Sequence, residues 1–332
     1  MKKLINNPSD IVNELIEGYV AANSSIVKKI DDFTITARKD TPVKGKVAIV
    51  TGGGSGHEPL FEEYVGKGMV DAAAHGQIFA SPSSAIILEA IKAVDGGMGV
   101  LMVYCNYEGD VLNFNMAQEM AIDEGIKVDQ VRINDDISSA PKDQREGRRG
   151  TTATPLVLKI AGAASEAGLE FEQLKATVQK AVDNSRSLGV SLSACTLPET
   201  GMATFSLEEG KMEFGMGLHG EAGIKKVEIM TADETTETIL DLLIEDLPFV
   251  SGDDVVVLIN SYGATTKMEM YIIARKIHKY LPQKGISIHS TEIGEFCTSQ
   301  EMAGVSISLM KLDNGLKKYF DMPCQAPGFK KI

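Results

Sequence analysis

The feature that most constrains the fold is an alternation of short β-branched runs with segments of helical length. In the first third of the chain, strand patterns occupy 46–51, 99–104 and 128–133, and helical patterns occupy 11–23, 82–94 and 116–123. Strands that alternate with helices are typical of α/β layers in which most neighbouring strands run parallel. We therefore predict an α/β fold, with sheets flanked by helices.

The same alternation returns in the second half of the chain. Helical patterns lie at 154–167, 171–188, 235–246 and 268–280, and strand patterns at 254–260, 285–293 and 305–312. Gly189 follows one of these helices as a C-cap glycine would, and the composition then shifts to strand and turn. A length of 332 residues suits two domains. We predict an N-terminal α/β domain at 1–189 and a C-terminal α/β domain at 190–332.

The charge balance excludes several classes of partner. The chain has 33 Lys and Arg against 46 Asp and Glu, a net charge of −13, which disfavours nucleic acid and anionic membranes. We find no apolar run of about 20 residues and no signal-peptide pattern, so we expect a cytoplasmic protein. The four cysteines form no Cys-x-x-Cys pair, and we predict reduced thiols and no metal site.

The first candidate site is Gly-Gly-Gly-Ser-Gly-His-Glu-Pro, residues 52–59, directly after a strand pattern. Its glycines let the backbone approach a ligand closely, and N–H groups of a predicted helix beginning near Pro59 would hold an oxygen atom. A phosphate-loop lysine is missing, and His57 replaces the third glycine of a dinucleotide fingerprint, so we expect no nucleotide on this chain. A purely structural turn is the alternative, but a histidine at its tip favours a site.

The second candidate is the loop 106–110, which follows the next strand pattern. Because the carboxyl ends of neighbouring strands meet at one edge of an open α/β sheet, this loop is expected to face the first. Asp110 would orient a histidine or accept a hydroxyl proton. The alternative is an ordinary Gly-Asp turn that caps the following helix.

The third candidate is His219, in the glycine-rich run 213–221. A neutral imidazole nitrogen near pH 7 is a nucleophile toward a carbonyl carbon, although a solvated loop histidine is the alternative. We also expect His75 to line the face of the first loop. The pair Arg148 and Arg149 would bind a phosphate or carboxylate, with helix capping or a domain contact as the alternative.

Together these motifs resemble the dihydroxyacetone kinase family, and within it the dihydroxyacetone-binding K subunit. The resemblance runs over essentially the whole chain and includes 52–59, 106–114, 147–150, 194–198, 212–221 and 297–299. It implies a two-domain α/β subunit that usually forms a homodimer. It also implies that a histidine, His219 by motif, bonds covalently to the ketone carbon as a hemiaminal. Glycerol has no carbonyl and would not form this adduct.

The resemblance assigns further roles. In the kinases, a second histidine and an aspartate handle the hydroxyl proton during phosphoryl transfer, and these positions match His57 and Asp110. Gly54, Ser55 and Gly56 would hold the substrate hydroxyls.

The chain departs from the kinase pattern at Cys105, where the kinases usually carry a lysine that touches the substrate. Losing that cation removes a donor and a positive charge from a substrate-binding position. The departure favours a non-enzymatic, ligand-sensing coactivator that binds dihydroxyacetone and a transcription regulator of the kinase operon. The alternative is the working subunit of a glycerone kinase or phosphoenolpyruvate-dependent phosphotransferase. Such a subunit would act with a nucleotide-carrying L subunit.

Overall fold

Residues 3–332 are described by the computed structural model, and they divide into two units. The N unit contains residues 3–133, 154–182 and 316–332, and the C unit contains residues 134–153 and 183–315. The chain therefore passes between the units four times, after residues 133, 153, 182 and 315. Each unit is built from segments that are distant in the sequence.

The N unit begins with the short 3₁₀ helix Pro8–Asp10 and centres on a six-stranded sheet. Its strands are β1 (Val27–Lys29), β2 (Ile35–Arg38), β3 (Ala48–Ser55), β4 (Ala72–Ile78), β5 (Val100–Cys105) and β6 (Val128–Ile133). Its helices before residue 183 are α1 (Ile11–Ala22), α2 (Ser84–Val94), α3 (Glu108–Asp123), α4 (Thr154–Glu166) and α5 (Phe171–Asp183).

The strand order in this sheet is β1-β2-β4-β3-β5-β6, and the central pairs β4–β3, β3–β5 and β5–β6 are parallel. All six residues of β5 are buried, as expected for a strand inside a parallel sheet that is covered on both faces. Helices α2 and α3 contribute to one apolar core with these strands. Helix α4 is almost wholly buried, and Gly162 allows close approach because a Cβ there would lie 2.1 Å from the Met69 carbonyl oxygen.

The C unit also contains a six-stranded sheet, and the short 3₁₀ helix Lys142–Gly147 precedes it in the sequence. Its strands are β7 (Ser185–Ser191), β8 (Lys211–Phe214), β9 (Lys225–Glu228), β10 (Asp254–Ser261), β11 (Ser287–Gly294) and β12 (Gly304–Leu312). Its helices are α6 (Ala232–Asp246) and α7 (Lys267–Gln283), and both begin with a capping box.

The strand order in the C unit is β11-β10-β12-β7-β8-β9, and β10–β11 is its one parallel pair. Helix α7 connects β10 to β11, which is the crossover that a parallel pair needs. The prediction of largely parallel pairing therefore describes the centre of the N unit and is wrong for the C unit. The predicted α/β class, with sheets flanked by helices, is confirmed in both units.

The predicted helix at 171–188 ends earlier in the structure, at Asp183, and Gly189 is not its C-cap. Residues 185–191 form β7, which is buried throughout and pairs with both β12 and β8. A Cβ on Gly189 would lie 1.8 Å from the Tyr262 hydroxyl, so this strand position needs glycine for close packing. The expected domain boundary near Gly189 thus falls inside a strand of the C unit, and the units differ from the division 1–189 and 190–332.

The last segment returns to the N unit with α8 (Asn314–Asp321), β13 (Cys324–Ala326) and β14 (Phe329–Lys331). Its backbone is hydrogen-bonded to the segment 63–67: Gly328 N–H donates to the Glu63 carbonyl at 2.8 Å, and Gln325 N–H donates to the Lys67 carbonyl at 2.8 Å. All four cysteines of the chain are buried thiols. Between residues 3 and 332, no helix is both long and apolar enough to cross a membrane.

Candidate functional site

The first candidate site lies at the carboxyl end of β3 in the N unit. Gly54 and Ser55 are the last residues of this strand, rather than part of a loop. The Ser55 hydroxyl donates to the Gly76 carbonyl at 2.8 Å, which ties the end of β3 to β4. A Cβ on Gly54 would lie 2.7 Å from the Ala80 backbone nitrogen, so the glycine permits this close approach.

The turn after β3 reverses the chain without an α-helix. Gly56 has a φ of +98°, which favours glycine, and its N–H donates to Oε1 of Glu58 at 2.8 Å. The next helical segment is the 3₁₀ helix Glu62–Tyr64, so the prediction of a helix beginning near Pro59 is wrong. The N–H groups that such a helix would have offered to a ligand are therefore not provided at that position. Side-chain and strand-end contacts hold this turn instead.

His57 is buried in this turn, with 4% of its surface exposed. Its ring stacks on Phe79, with 4.8 Å between the ring centroids and 18° between the planes. The Phe79 N–H donates to the Ser55 carbonyl at 2.9 Å, so the aromatic partner is attached to the end of β3. The stacking restricts the imidazole plane, as a histidine in a positioned role requires.

Asp110 lies beyond the end of the neighbouring strand β5, in the first turn of α3. It is buried, and the helix N-cap is Tyr107, so Asp110 is not the capping residue that the alternative interpretation expected. In the sheet, β4 lies on one side of β3, whereas β5 and then β6 lie on its other side, so the direction in which strands are added reverses between β3 and β5. This reversal is the topological switch point at which open α/β sheets bind ligands. The N unit therefore brings the His57 turn and the Asp110 helix start to the same sheet edge.

Cys105 ends β5 at this edge and is 4% exposed. Its Sγ lies 3.2 Å from the Thr154 hydroxyl, at the start of α4. The residue that replaces the family lysine is thus a small, buried, uncharged group.

Buried carboxyl groups follow His57 in the sequence. Burial raises the pKa of Glu58, and burial together with the charges of Glu58 and Glu63 raises the pKa of Glu62 to about 8. Burial lowers the pKa of His75 to about 3, and its Nε2 lies 2.9 Å from the Thr36 hydroxyl in the adjacent strand. His75 is therefore a neutral residue inside the sheet, and the structure gives it no place in the His57 turn.

In the C unit, His219 lies in the connection between β8 and β9, with 27% of its side chain exposed. Its Nδ1 is 3.1 Å from Oε1 of Glu221, and its backbone N–H donates to Oε2 of the same carboxylate at 2.9 Å. An ionised carboxylate only accepts hydrogen bonds, so Nδ1 carries a hydrogen, and in the neutral form of the ring the lone pair is on Nε2. His219 is thus an oriented residue, not a solvated loop histidine.

Arg149 supports this pair from the other side of Glu221. Its Nη1 lies 3.8 Å from Oε2 of Glu221, and its Nη2 donates to the Gly215 carbonyl at 3.1 Å and to Asp136 at 2.8 Å. Burial alone would raise the pKa of Glu221, but the hydrogen bond and charge of His219, with a contribution from Arg149, lower it to about 2. The carboxylate is ionised at neutral pH.

Arg148 has a structural partner in the same unit. It forms a two-pronged pair with Asp246, at 2.8 Å and 2.6 Å, and Arg186 donates to the same carboxylate at 2.5 Å. Both arginines thus pair with carboxylates of the C unit, Arg148 with Asp246 and Arg149 with Asp136, and their binding of an external phosphate or carboxylate stays a prediction. The role of Glu221 was missed from the sequence, although it lies in the quoted motif two residues after His219.

Comparison with known protein families gives a match to the Dak1 domain over residues 17–328, nearly the whole chain. This chain belongs to the Dak1 domain family.

The named proteins that are similar to this chain include kinase subunits and a coactivator. The chain is 45% identical, over 99% of both lengths, to "PTS-dependent dihydroxyacetone kinase 2, dihydroxyacetone-binding subunit DhaK" of Listeria innocua. The solved dihydroxyacetone kinase of C. freundii is 33% identical with a TM-score of 0.91. The match covers 99% of this chain and 60% of that kinase. The solved "dihydroxyacetone kinase operon co-activator Dha-DhaQ" is 29% identical with a TM-score of 0.90, over 96% of this chain and 98% of that one.

Proposed function

We propose that this Dak1 chain captures dihydroxyacetone as a covalent hemiaminal on His219. The observation that carries the proposal is the Nδ1 contact with Glu221, which fixes the tautomer in which a neutral ring would attack through Nε2. The Nε2 lone pair forms a bond to the ketone carbon, and the carbonyl π electrons move to oxygen, which takes a proton from solvent. The ring becomes cationic, and the ionised Glu221 beside it balances that charge.

The other predicted site residues take their roles from the family resemblance. Gly54, Ser55 and Gly56 would hold the ligand hydroxyls, and His57 and Asp110 would handle a hydroxyl proton in a phosphoryl-transfer step. The burial of His57 and Asp110 supports these roles, because a group shielded from water keeps a defined geometry. No nucleotide is proposed on this chain.

The adduct is tested directly with dihydroxyacetone that is isotope-labelled at the ketone carbon. Carbon NMR of the complex should show that carbon as tetrahedral in the wild type and in His278→Ala, a control histidine at an exposed position of α7. His219→Ala should bind no labelled tetrahedral species while remaining folded. A tetrahedral signal that survives in His219→Ala would assign the adduct to another residue.

One use of the captured ketone is sensing, as the sequence predicted. Cys105 favours it, because a buried thiol against Thr154 provides no positive charge for an incoming phosphate. In this proposal a homodimer loaded with dihydroxyacetone binds a transcription regulator. Ligand binding must then change the affinity for the regulator.

The second candidate is the dihydroxyacetone-binding subunit of a phosphotransferase, and a different observation favours it. The chain is 45% identical to a named kinase subunit, and among solved structures it is 33% identical to the kinase of C. freundii and 29% identical to the named coactivator. Here a nucleotide-carrying subunit would bring the phosphoryl group to the ketone-bound chain.

Phosphoryl transfer to dihydroxyacetone separates the two candidates. The chain is mixed with a nucleotide-carrying kinase subunit and its phosphate donor, and an authentic K subunit serves as the reference. Turnover near that of the reference assigns the kinase role. No turnover from an adduct-forming chain assigns the sensor role, and Cys105→Lys should then gain turnover while the uncharged Cys105→Met should not.

A further inference from the structure

Two motifs that carry the family resemblance, 194–198 and 297–299, have no role in the chemistry proposed above. Both contain buried residues: Cys195 and Cys297 are fully enclosed and Ser299 is 1% exposed. Both motifs lie in the C unit with His219.

Ser299 connects the second motif to the His219 loop. Its hydroxyl donates to the carbonyl oxygen of Leu218 at 2.5 Å. Leu218 immediately precedes His219 and is itself buried. The peptide that joins Leu218 to His219 is therefore held from inside the protein, whereas Glu221 holds the imidazole.

The backbone of Ser299 is fixed on both sides. Its N–H donates to the Tyr262 carbonyl at 3.0 Å, and its carbonyl accepts from Met302 N–H at 3.0 Å. Both partners belong to segments next to the central strands β10 and β12. The backbone that carries the Ser299 hydroxyl is therefore restrained, and so is the position from which that hydroxyl reaches the Leu218 carbonyl.

Asn260, near the end of β10, fixes the chain just before Ser299. Its Oδ1 accepts the N–H groups of Phe296 at 2.8 Å and Cys297 at 2.9 Å. Its Nδ2 donates to the Cys297 carbonyl at 2.8 Å and to the Ser306 hydroxyl at 3.2 Å. The amide is fully buried and makes four hydrogen bonds, so it holds this connection as a rigid part of the sheet edge.

Cys195 brings in the first motif. Its Sγ lies 3.5 Å from the Ser299 hydroxyl and 3.4 Å from the Thr204 hydroxyl. Thr204 also packs on the residue after His219, since a Cβ on Gly220 would lie 3.3 Å from Thr204 Cβ. The second motif therefore contacts the residue before His219, and the first motif is linked to the residue after it through Thr204.

We propose that Ser299 is a positioning residue for His219, held in place by Asn260. This proposal rests on the proposed function, because positioning matters for capture only if His219 forms the adduct. Ser299 acts through the Leu218 carbonyl and keeps Nε2 where the ketone carbon can be reached.

The test compares Ser299→Ala with Ser187→Ala. Ser187 is also buried in the C unit and its hydroxyl bonds to Ser308 at 2.7 Å, so the control loses a similar hydrogen bond away from the loop. We expect Ser299→Ala to raise the dissociation constant for dihydroxyacetone about fivefold, the usual effect of one lost hydrogen bond. The control should stay within about twofold of the wild type. Equal affinities of the two variants would overturn the proposal.

Ser299→Thr is the second variant, because it keeps a hydroxyl at this position. An affinity within about twofold of the wild type supports the hydrogen bond, and a loss equal to that of Ser299→Ala contradicts it.

Amide hydrogen exchange separates this proposal from the proposed function. Ser299→Ala should speed exchange in residues 217–221 without ligand, and Ser187→Ala should not. If the wild type binds no dihydroxyacetone but the exchange differs as expected, the proposed function fails while the positioning contact stands. If the wild type forms the adduct and exchange is the same in both variants, the positioning proposal fails alone.

Discussion

Glu221 holds His219 by accepting two hydrogen bonds at one carboxylate, one from the imidazole Nδ1 at 3.1 Å and one from the backbone N–H at 2.9 Å. The same group thus sets the ring orientation, the tautomer and the local backbone. Because the two residues are two positions apart, the arrangement is local and is produced by a few residues of loop.

Replacing the carboxylate should weaken ligand capture. Glu221→Gln keeps the size of the side chain but removes the charge that faces the developing imidazolium, so we expect the dissociation constant for dihydroxyacetone to rise about tenfold. Isothermal calorimetry measures it. Glu209→Gln, at an exposed position of the C unit, is the control and should leave the affinity unchanged. Wild-type affinity in Glu221→Gln would contradict the role given to the charge.

Filling the glycine at the end of β3 should destabilise the N unit. Gly54→Ala places a Cβ 2.7 Å from the Ala80 backbone nitrogen, and we expect the free energy of unfolding to fall by about 2 kcal/mol. Gly18→Ala is the matched control, because nothing lies within 4 Å of its Cβ in α1. It should raise the free energy of unfolding by about 0.5–1 kcal/mol, as alanine does in helices. Urea denaturation compares them, and equal stabilities would refute the close-approach argument.

The stability should depend on pH through Glu62. Burial raises its pKa from 4.5 to about 8, so between these values the folded chain keeps a proton that the unfolded chain has lost. The wild type therefore loses stability as the pH rises through this window. Glu62→Gln cannot ionise and should be more stable than the wild type by up to about 5 kcal/mol at pH 9, with little difference near pH 4.

Unfolding curves across this pH range check the Glu62 prediction. Glu17→Gln, an exposed change on α1, should follow the wild type at every pH. A constant difference between Glu62→Gln and the wild type would show that the effect is packing rather than ionisation.

Replacing Asp246, the carboxylate that Arg148 and Arg186 share, should lower the free energy of unfolding. Asp246→Asn leaves Arg148 and Arg186 without their carboxylate, and we expect a loss of about 3–5 kcal/mol in the free energy of unfolding. Burial alone would raise the pKa of Asp246, but its hydrogen bonds to these arginines lower it. The stabilisation is therefore present at neutral pH and is lost as the pH falls through the lowered pKa.

Urea unfolding at pH 7 and at lower pH measures this difference. The exposed Asp241→Asn is the control and should change stability by less than about 1 kcal/mol. If the difference in the free energy of unfolding between Asp246→Asn and the wild type stayed the same at low pH, the ion pairs would not be its cause.

Local sequence patterns predicted most of the α-helices, because side-chain periodicity and glycine punctuation act over a few residues. They predicted β3, β5, β6, β10, β11 and β12 but missed other strands, among them β2 and β4 in the N unit and β8 and β9 in the C unit. They misassigned 185–188, whose Ser-Arg-Ser-Leu pattern is not strand-like and which forms a buried strand because it pairs with β12. The candidate residues were found from motifs, and their roles remain predictions. The support from Ser299 and Asn260 could not be predicted, since hydrogen bonds spanning 81 and 37 residues leave no local pattern.

Because the chain passes between the units four times, the two units are completed at different stages of synthesis on the ribosome. The C unit has all of its residues once position 315 has emerged, whereas the N unit still lacks 316–332. Those residues pin the backbone just beyond the His57 turn. We expect a nascent chain to complete the unit carrying His219 first, and to leave the N unit around His57 unfinished until residues 316–332 have been synthesised.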